Sequence, residues 1–228
     1  ESGRGDHLAA NVAAAVRRAL VEGKGDILAF LPGAGEIRQA LELLAPLART
    51  AGLVLLPLYG ELSLVEQGRA VRPDPLGRRR VILATTIAET SITIEGISAV
   101  IDCGWKRVPC FDPNSGLTRL ATVRISRASA AQRQGRAGRL GPGVCYRLWS
   151  PGIEHGLQAF DRPEILEADL AGLALHLAAW GSGDPEQLQW LDPPPKGALA
   201  QARTLLIQLG ALDVNLRITS MGRAMVAL

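Results

Sequence analysis

The chain has 228 residues, of which 47% are hydrophobic and 21% charged, an ordinary composition for a globular protein. That length suits one large domain or a medium domain with a small one, and no apolar run approaches the ~18 residues a membrane helix needs. Three cysteines (Cys103, Cys110, Cys145) without zinc-site spacing, and three scattered histidines, leave no basis for a metal centre or a Ser-His-Asp nucleophile.

The cysteines are expected to be reduced, semi-buried thiols in a cytoplasmic protein. Residues 1–6 are polar, and Arg17 and Arg18 interrupt the first apolar stretch, so no secretory signal is expected. The chain starts at Glu1 rather than Met, which suggests a fragment or a processed product.

In chain order, residues 6–22 are Ala-rich with helical spacing, and 26–31 form a short apolar run stopped by Pro32-Gly33. Residues 36–49 are amphipathic, 53–58 are a second apolar run, and 63–70 read as a short helix. Residues 80–84 and 99–101 add two buried-strand candidates. Short apolar strands between helices predict a parallel sheet covered on both faces, an α/β fold. Ligands of such sheets bind at the carboxyl ends of the strands.

The stretch 105–126 breaks this alternation: two extended runs flank Asp112-Pro113-Asn114-Ser115-Gly116, which predicts a β-hairpin with basic flanks. Beyond Trp149-Ser150-Pro151-Gly152 the chain becomes mainly helical. Residues 163–180 read as one long helix with Pro at its start and Gly181 at its end. A helix over 197–209, a strand pair around 212–218 and a last helix from Ser220 follow. We therefore expect two domains, residues 1–153 and 154–228.

The net charge is +3, but residues 101–150 carry nine Lys or Arg against two Asp. A basic zone of that kind predicts an anionic partner such as phosphate or nucleic acid. Within it lies Gln132-Arg133-Gln134-Gly135-Arg136-Ala137-Gly138-Arg139. On a continuous helix Gln132, Arg136 and Arg139 would stand at about 0°, 40° and −20°, sharing one face, with Arg133 roughly 100° away. Gly135 and Gly138 would each destabilise that helix by about 1 kcal/mol, which predicts another backbone close by. Two guanidiniums and an amide on one face suit phosphoryl transfer. Arginine offsets charge on the equatorial oxygens, and the amide can hold the attacking water. Arg133 is left with a structural or strand-contacting part.

This stretch resembles the sixth motif of superfamily 2 helicases in its DEAH-box form. Phe30-Leu31-Pro32-Gly33 with Glu36-Ile37 resembles the fourth motif. Ala84-Thr85-Thr86-Ile87-Ala88-Glu89-Thr90-Ser91-Ile92-Thr93-Ile94 resembles the fifth. Arg162-Pro163-Glu164-Ile165 and Thr219-Ser220-Met221-Gly222-Arg223 resemble the start and end of the winged-helix domain that follows. The likeness covers nearly the whole chain, in order, and its details are most similar to the bacterial HrpB-type branch.

The resemblance implies a second RecA-like domain followed by a winged-helix domain, from an ATP-dependent enzyme that moves 3′-to-5′ along RNA or DNA. It implies that Gln132, Arg136 and Arg139 face the terminal phosphate, and that Ser91, Thr93 and Glu95 serve the nucleotide. Gly33, Thr85, Thr86, Lys106 and Arg107 would meet the nucleic-acid strand. Thr86 stands where the family has Asn, Glu95 where it has Asp, and Val71 where eukaryotic relatives have an aromatic. Taken alone, Thr85 and Ser91 could instead cap a helix.

No Gly-x-x-x-x-Gly-Lys-Ser/Thr and no Asp-Glu-Ala-His occurs in the 228 residues. The phosphate cradle and the Mg2+ ligands are therefore expected in a first RecA-like domain of the same polypeptide. The expected enzyme is a monomer that uses ATP and Mg2+. The alternative is a non-catalytic module that docks nucleic acid or a protein.

Overall fold

The computed structural model describes residues 2–90, 92–112, 116–138, 141–182, 185 and 188–227, with backbone alone for 2–6. Contacts divide the chain into two units. One comprises 1–108 and 122–161; the other comprises 109–121 and 162–228. Residues 154–161 thus pack with the first unit, and the end of the hairpin groups with the second.

The first unit is built on five parallel strands: β1 (Asp26–Phe30), β2 (Val54–Leu58), β3 (Arg80–Ala84), β4 (Ile97–Asp102) and β7 (Val144–Arg147). Their order is β2-β3-β1-β4-β7. The register pairs Phe30 with Ala84 and Asp102, Leu58 with Ala84, and Asp102 with Arg147, so the carboxyl ends lie level. Alternation along β1 splits the core into two layers. Ile27 and Ala29 face helices α1 (Ser2–Glu22) and α2 (Ala34–Ala51). Leu28 and Phe30 face the opposite layer with Ala70, Ala88 and Ile94. That layer is thinner, formed by α3 (Leu64–Val71), an irregular segment over 85–96, and α4 (Arg127–Gln134) with the turn after it.

Local chemistry sets the helix ends. Ser63 and Glu66 form a reciprocal capping box on α3. Gly52 closes α2 with φ +64°. Arg79 donates to the carbonyls of Ala19, Leu20 and Gly25, covering the open end of α1. Arg80 is buried at the start of β3, bonded to Asp26 and to the carbonyls of Ala70, Val71, Arg72 and Glu95. The hairpin strands are β5 (Trp105–Asp112) and β6 (Leu117–Arg124). The turn residues 113–115 between them lie outside the described residues.

The second unit has α6 (Ala171–Trp180), α7 (Lys196–Gln208) and α8 (Ser220–Val226) around Leu170, Leu175, Leu199, Leu206 and Leu212. Gly222 lets α8 approach: a Cβ there would stand 2.2 Å from the Ala211 carbonyl oxygen.

Several expectations are corrected. β7 and α5 (Pro151–Gly156) escape the apolar-run reading; β7 lies at the sheet edge with Val144 and Arg147 exposed and only Cys145 and Tyr146 half-buried. The helix expected over 163–180 begins only at Ala171, whose amide donates to Asp169; Glu164–Leu166 is a separate 3₁₀ turn. The strand pair near 212–218 contracts to one bridge, Leu212 with Ile218, because the Asp213 carboxylate folds Asn215 and Arg217 into a turn. Cys110 is exposed, not semi-buried.

Candidate functional site

The carboxyl edge of the sheet gathers one group of the expected residues. After β1 the chain turns at Gly33, which opens α2, and the Arg107 guanidinium lies across it. A Cβ on Gly33 would stand 2.4 Å from Arg107 Nη1, so a side chain there would displace the guanidinium. Arg107 is held by Glu36 in the first turn of α2, at 3.0 Å. After β3, the Thr85 amide donates to Leu58, and its side chain makes no cap bond to the short 3₁₀ turn Thr86–Ala88. Helix capping therefore does not account for Thr85. Lys106 is buried and paired with Asp161 at 2.6 Å.

Behind this edge lies a buried polar network. Arg133 is fully buried and donates to Glu89 Oε1 (2.5 Å), Asp102 Oδ1 (2.7 Å) and the Trp105 carbonyl (3.3 Å). Its guanidinium lies 4.8 Å from the Phe30 ring centroid. Burial pushes the Asp102 carboxyl above its ordinary range, and the charge of Arg133 opposes that shift. The Gly104 amide also donates to Asp102, and Ser129 donates to Glu89. Arg133 is thus the structural arginine that the wheel separated from Gln132 and Arg136.

The wheel itself does not hold past Gln134. Helix α4 stops there, with Gly135 at its cap. Arg136 and Ala137 continue as tight turns onto Arg133 and Gln134, and Gly138 has φ +79°. A Cβ on Gly138 would meet the Gly141 carbonyl at 2.8 Å. The glycines end the helix beside another backbone; they do not sit inside it. Arg136 turns back on the 85–96 segment, its Nε donating to the Glu89 carbonyl at 2.7 Å and its Nη1 to Ile92 at 2.9 Å. Its Nη2 also donates to Glu89. Gln132 is exposed on α4. Arg139 and Ser91 lie outside the described residues.

The second group meets away from the carboxyl edge. Thr93, Glu95 and Arg136 line a cavity of about 250 Å³ with Gly96, Gly141 and Pro142, at the amino ends of β4 and β7. Arg80 fixes the floor by donating to the Glu95 carbonyl at 2.6 Å. The rule that placed all chemistry at the carboxyl ends thus covers the first group alone. The 85–96 segment connects the two places.

The basic zone also changes meaning. Lys106, Arg107, Arg133 and Arg147 are ion-paired internally, Arg136 holds backbone, and Arg124 stacks on Trp105 at 3.9 Å. Arg119 and Arg127 remain exposed. Sequence reasoning missed Glu89, Asp102, Asp26 and Arg80 as organising residues. The available signal for three of them was a charge at the end of an apolar run: Asp26, Arg80 and Asp102. Burial pushes Cys103 up to about 12 and Cys145 up to about 11, so neither is a thiolate nucleophile near neutrality.

Residues 11–141 match the family model of the helicase conserved C-terminal domain, and residues 202–228 match the winged-helix helicase associated domain (HA2). The ATP-dependent RNA helicase HrpB of Escherichia coli is 50% identical over 95% of this chain and 27% of that protein. The pre-mRNA-splicing factor ATP-dependent RNA helicase prp22 of Schizosaccharomyces pombe is 41% identical over 96% of this chain and 19% of its own length. A crystal structure of Escherichia coli DEAH/RHA helicase HrpB aligns with TM-score 0.87 at 49% identity, covering 95% of this chain and 27% of that one. At that likeness the first unit has the RecA-like α/β fold. The chain spans about a quarter or less of the length of the curated relatives it matches.

Proposed function

The chain belongs to the helicase conserved C-terminal domain family, and on that premise we propose that it is the closing half of an ATP-dependent RNA helicase motor. The observation that most supports this is the assembly of Thr93, Glu95 and Arg136, from two separate segments, around one cavity. A hydroxyl, a carboxylate and a guanidinium suit the hydroxyls and phosphates of a nucleotide, and the size suits part of one. Arg136 gives its donors to the terminal phosphate in exchange for the Glu89 and Ile92 carbonyls. There it offsets charge that develops in transfer, with Arg139 as the second guanidinium and Gln132 holding the attacking water. Ser91 reports nucleotide state to the segment that carries it.

Among the described residues, no three His, Cys, Asp or Glu stand where they could hold a metal ion. In this reading the Mg2+ ligands and the phosphate loop belong to a first RecA-like domain. Gly33, Thr85, Thr86 and Arg107 form the strand-gripping edge, which follows the backbone and tolerates any sequence; the expected Lys106 is buried against Asp161 and supports that edge instead. Among the described residues no helix is long and apolar enough to cross a membrane. The same reading has the motor act as a monomer in the cytoplasm.

The full-length protein is expected to hydrolyse ATP faster when single-stranded RNA is added, and residues 1–228 alone to show no turnover. Turnover by the 228 residues would reject the division of labour. A full-length protein that binds RNA without hydrolysing ATP would favour the docking-module alternative. Arg107→Ala should weaken RNA binding equally across sequences and flatten the slope of log affinity against log salt by about 0.7, one single-strand phosphate contact. An unchanged slope would remove Arg107 from the interface.

A further inference from the structure

The 85–96 segment leaves the strand-gripping edge at Thr85 and reaches the cavity at Thr93 and Glu95. Apart from Thr86–Ala88, its described residues have no helix or strand to hold them. Ala88 and Ile94 anchor it in the thin core layer, and the half-buried Ile87 and Ile92 pack against the same layer. Between them Glu89 is attached through both its carboxylate and its carbonyl. Its carboxylate accepts from Ser129 at 2.7 Å and Arg133 at 2.5 Å, both on α4. Its carbonyl accepts from Arg136 in the turn that follows. Arg133 continues the chain of bonds to Asp102 at the end of β4 and to Trp105 at the root of the hairpin. One residue thus joins the cavity-lining arginine, the start of the gripping loop and the hairpin.

The two attachments of Glu89 differ in kind. The carboxylate bonds join buried partners: Ser129 is 3% exposed and Arg133 0%. The carbonyl bond belongs to Arg136, which lines the cavity. When Arg136 changes acceptor, the carbonyls of Glu89 and Ile92 lose a donor, and the segment is held at Glu89 by its carboxylate alone. A contact made in one state and lost in the other, beside one that persists, is a pivot.

Resting on the helicase reading above, we propose that Glu89 is the positioning residue through which the nucleotide-side turn after α4 moves the strand-gripping loop. The carboxylate is the fixed point and the carbonyl is the moving one. Charge matters at the fixed point, because a charge-assisted pair holds where a neutral amide yields.

The test uses the full-length protein and its Glu89→Gln and Ser129→Ala variants. Glu89→Gln keeps the shape and the oxygen but removes the charge; Ser129→Ala removes one donor and keeps it. Glu89→Gln should leave ADP affinity unchanged and lower the stimulation of ATP turnover by single-stranded RNA on the order of tenfold, the scale of coupling between sites. The RNA concentration for half-stimulation should rise. Ser129→Ala should shift both in the same direction by less, and it serves if Glu89→Gln does not fold. In the wild type, ADP should change backbone hydrogen exchange over 85–90; in Glu89→Gln it should not. RNA stimulation at the wild-type level, or a parallel loss of ADP and RNA affinity in both variants, overturns the pivot. A wild type without RNA-stimulated turnover overturns the helicase reading instead, and the exchange measurement still decides whether Glu89 links the two places.

Discussion

Arg136→Ala in the full-length protein is expected to lower ATP turnover at saturating ATP and RNA by about 10³-fold or more. The size follows from charge. A transferring phosphoryl group spreads negative charge over oxygens that a fixed guanidinium meets without reorganisation. The present geometry puts that guanidinium at the rim of the Thr93–Glu95 cavity, 8% exposed and oriented by the Glu89 and Ile92 carbonyls. Arg136 therefore also holds a loop, and a loss of rate could arise from that alone. Arg136→Lys separates the two. A lysine can donate to a carbonyl but offers no planar fork, so loop order should recover while the rate stays close to that of Arg136→Ala. Steady-state turnover with hydrogen exchange over 85–95 reads both. A near-normal rate in Arg136→Ala rejects the phosphate-facing role. A rate restored by lysine assigns Arg136 to the loop instead.

Arg133→Ala is expected to give the largest loss of stability, about 3–5 kcal/mol, or on the order of 10 °C in the midpoint of thermal unfolding. Arg133 is fully buried between two carboxylates, Glu89 and Asp102. Its removal leaves both without their cation, and Asp102 is already 0% exposed with one oxygen unpartnered among the described residues. The bonds it makes join the 85–96 segment, the end of β4 and the root of the hairpin. Asp102→Asn should be milder, because an amide oxygen still accepts from Arg133 and from the Gly104 amide at the same place. Thermal unfolding of the two variants side by side checks this. A midpoint within ~2 °C of wild type for Arg133→Ala, the effect of less than about 1 kcal/mol, would show that the network contributes little.

The same residues show where sequence reading succeeds. Apolar runs at 26–31, 53–58, 80–84 and 99–101 became strands within one or two residues, because a strand buried on both faces is mostly apolar. Gly181 ended α6 and Ser63 capped α3 by local chemistry alone. The edge strand β7 was missed for the converse reason: Val144 and Arg147 are exposed, so it carries no continuous apolar signal. The helix through Arg139 was over-extended because a wheel assumes continuous φ and ψ. Gly138 breaks that with φ +79°, beside the approaching backbone of Gly141 and Gly143.

The sequence by itself determined the α/β class, the order of the motifs, the family resemblance, and the separation of Arg133 from Gln132 on α4. Those properties depend on neighbours a few residues apart. Which charges are committed inward was decided only by the tertiary structure. Glu89, Asp102 and Arg133 are separated by 13, 31 and 44 positions in the chain, and they meet because β4 and α4 are laid side by side. The basic zone read as an open anionic-partner surface until folding buried Arg133 between Glu89 and Asp102 and paired Lys106 with Asp161. Burial and pairing depend on which segments become neighbours in space, and a one-dimensional charge pattern does not contain that information.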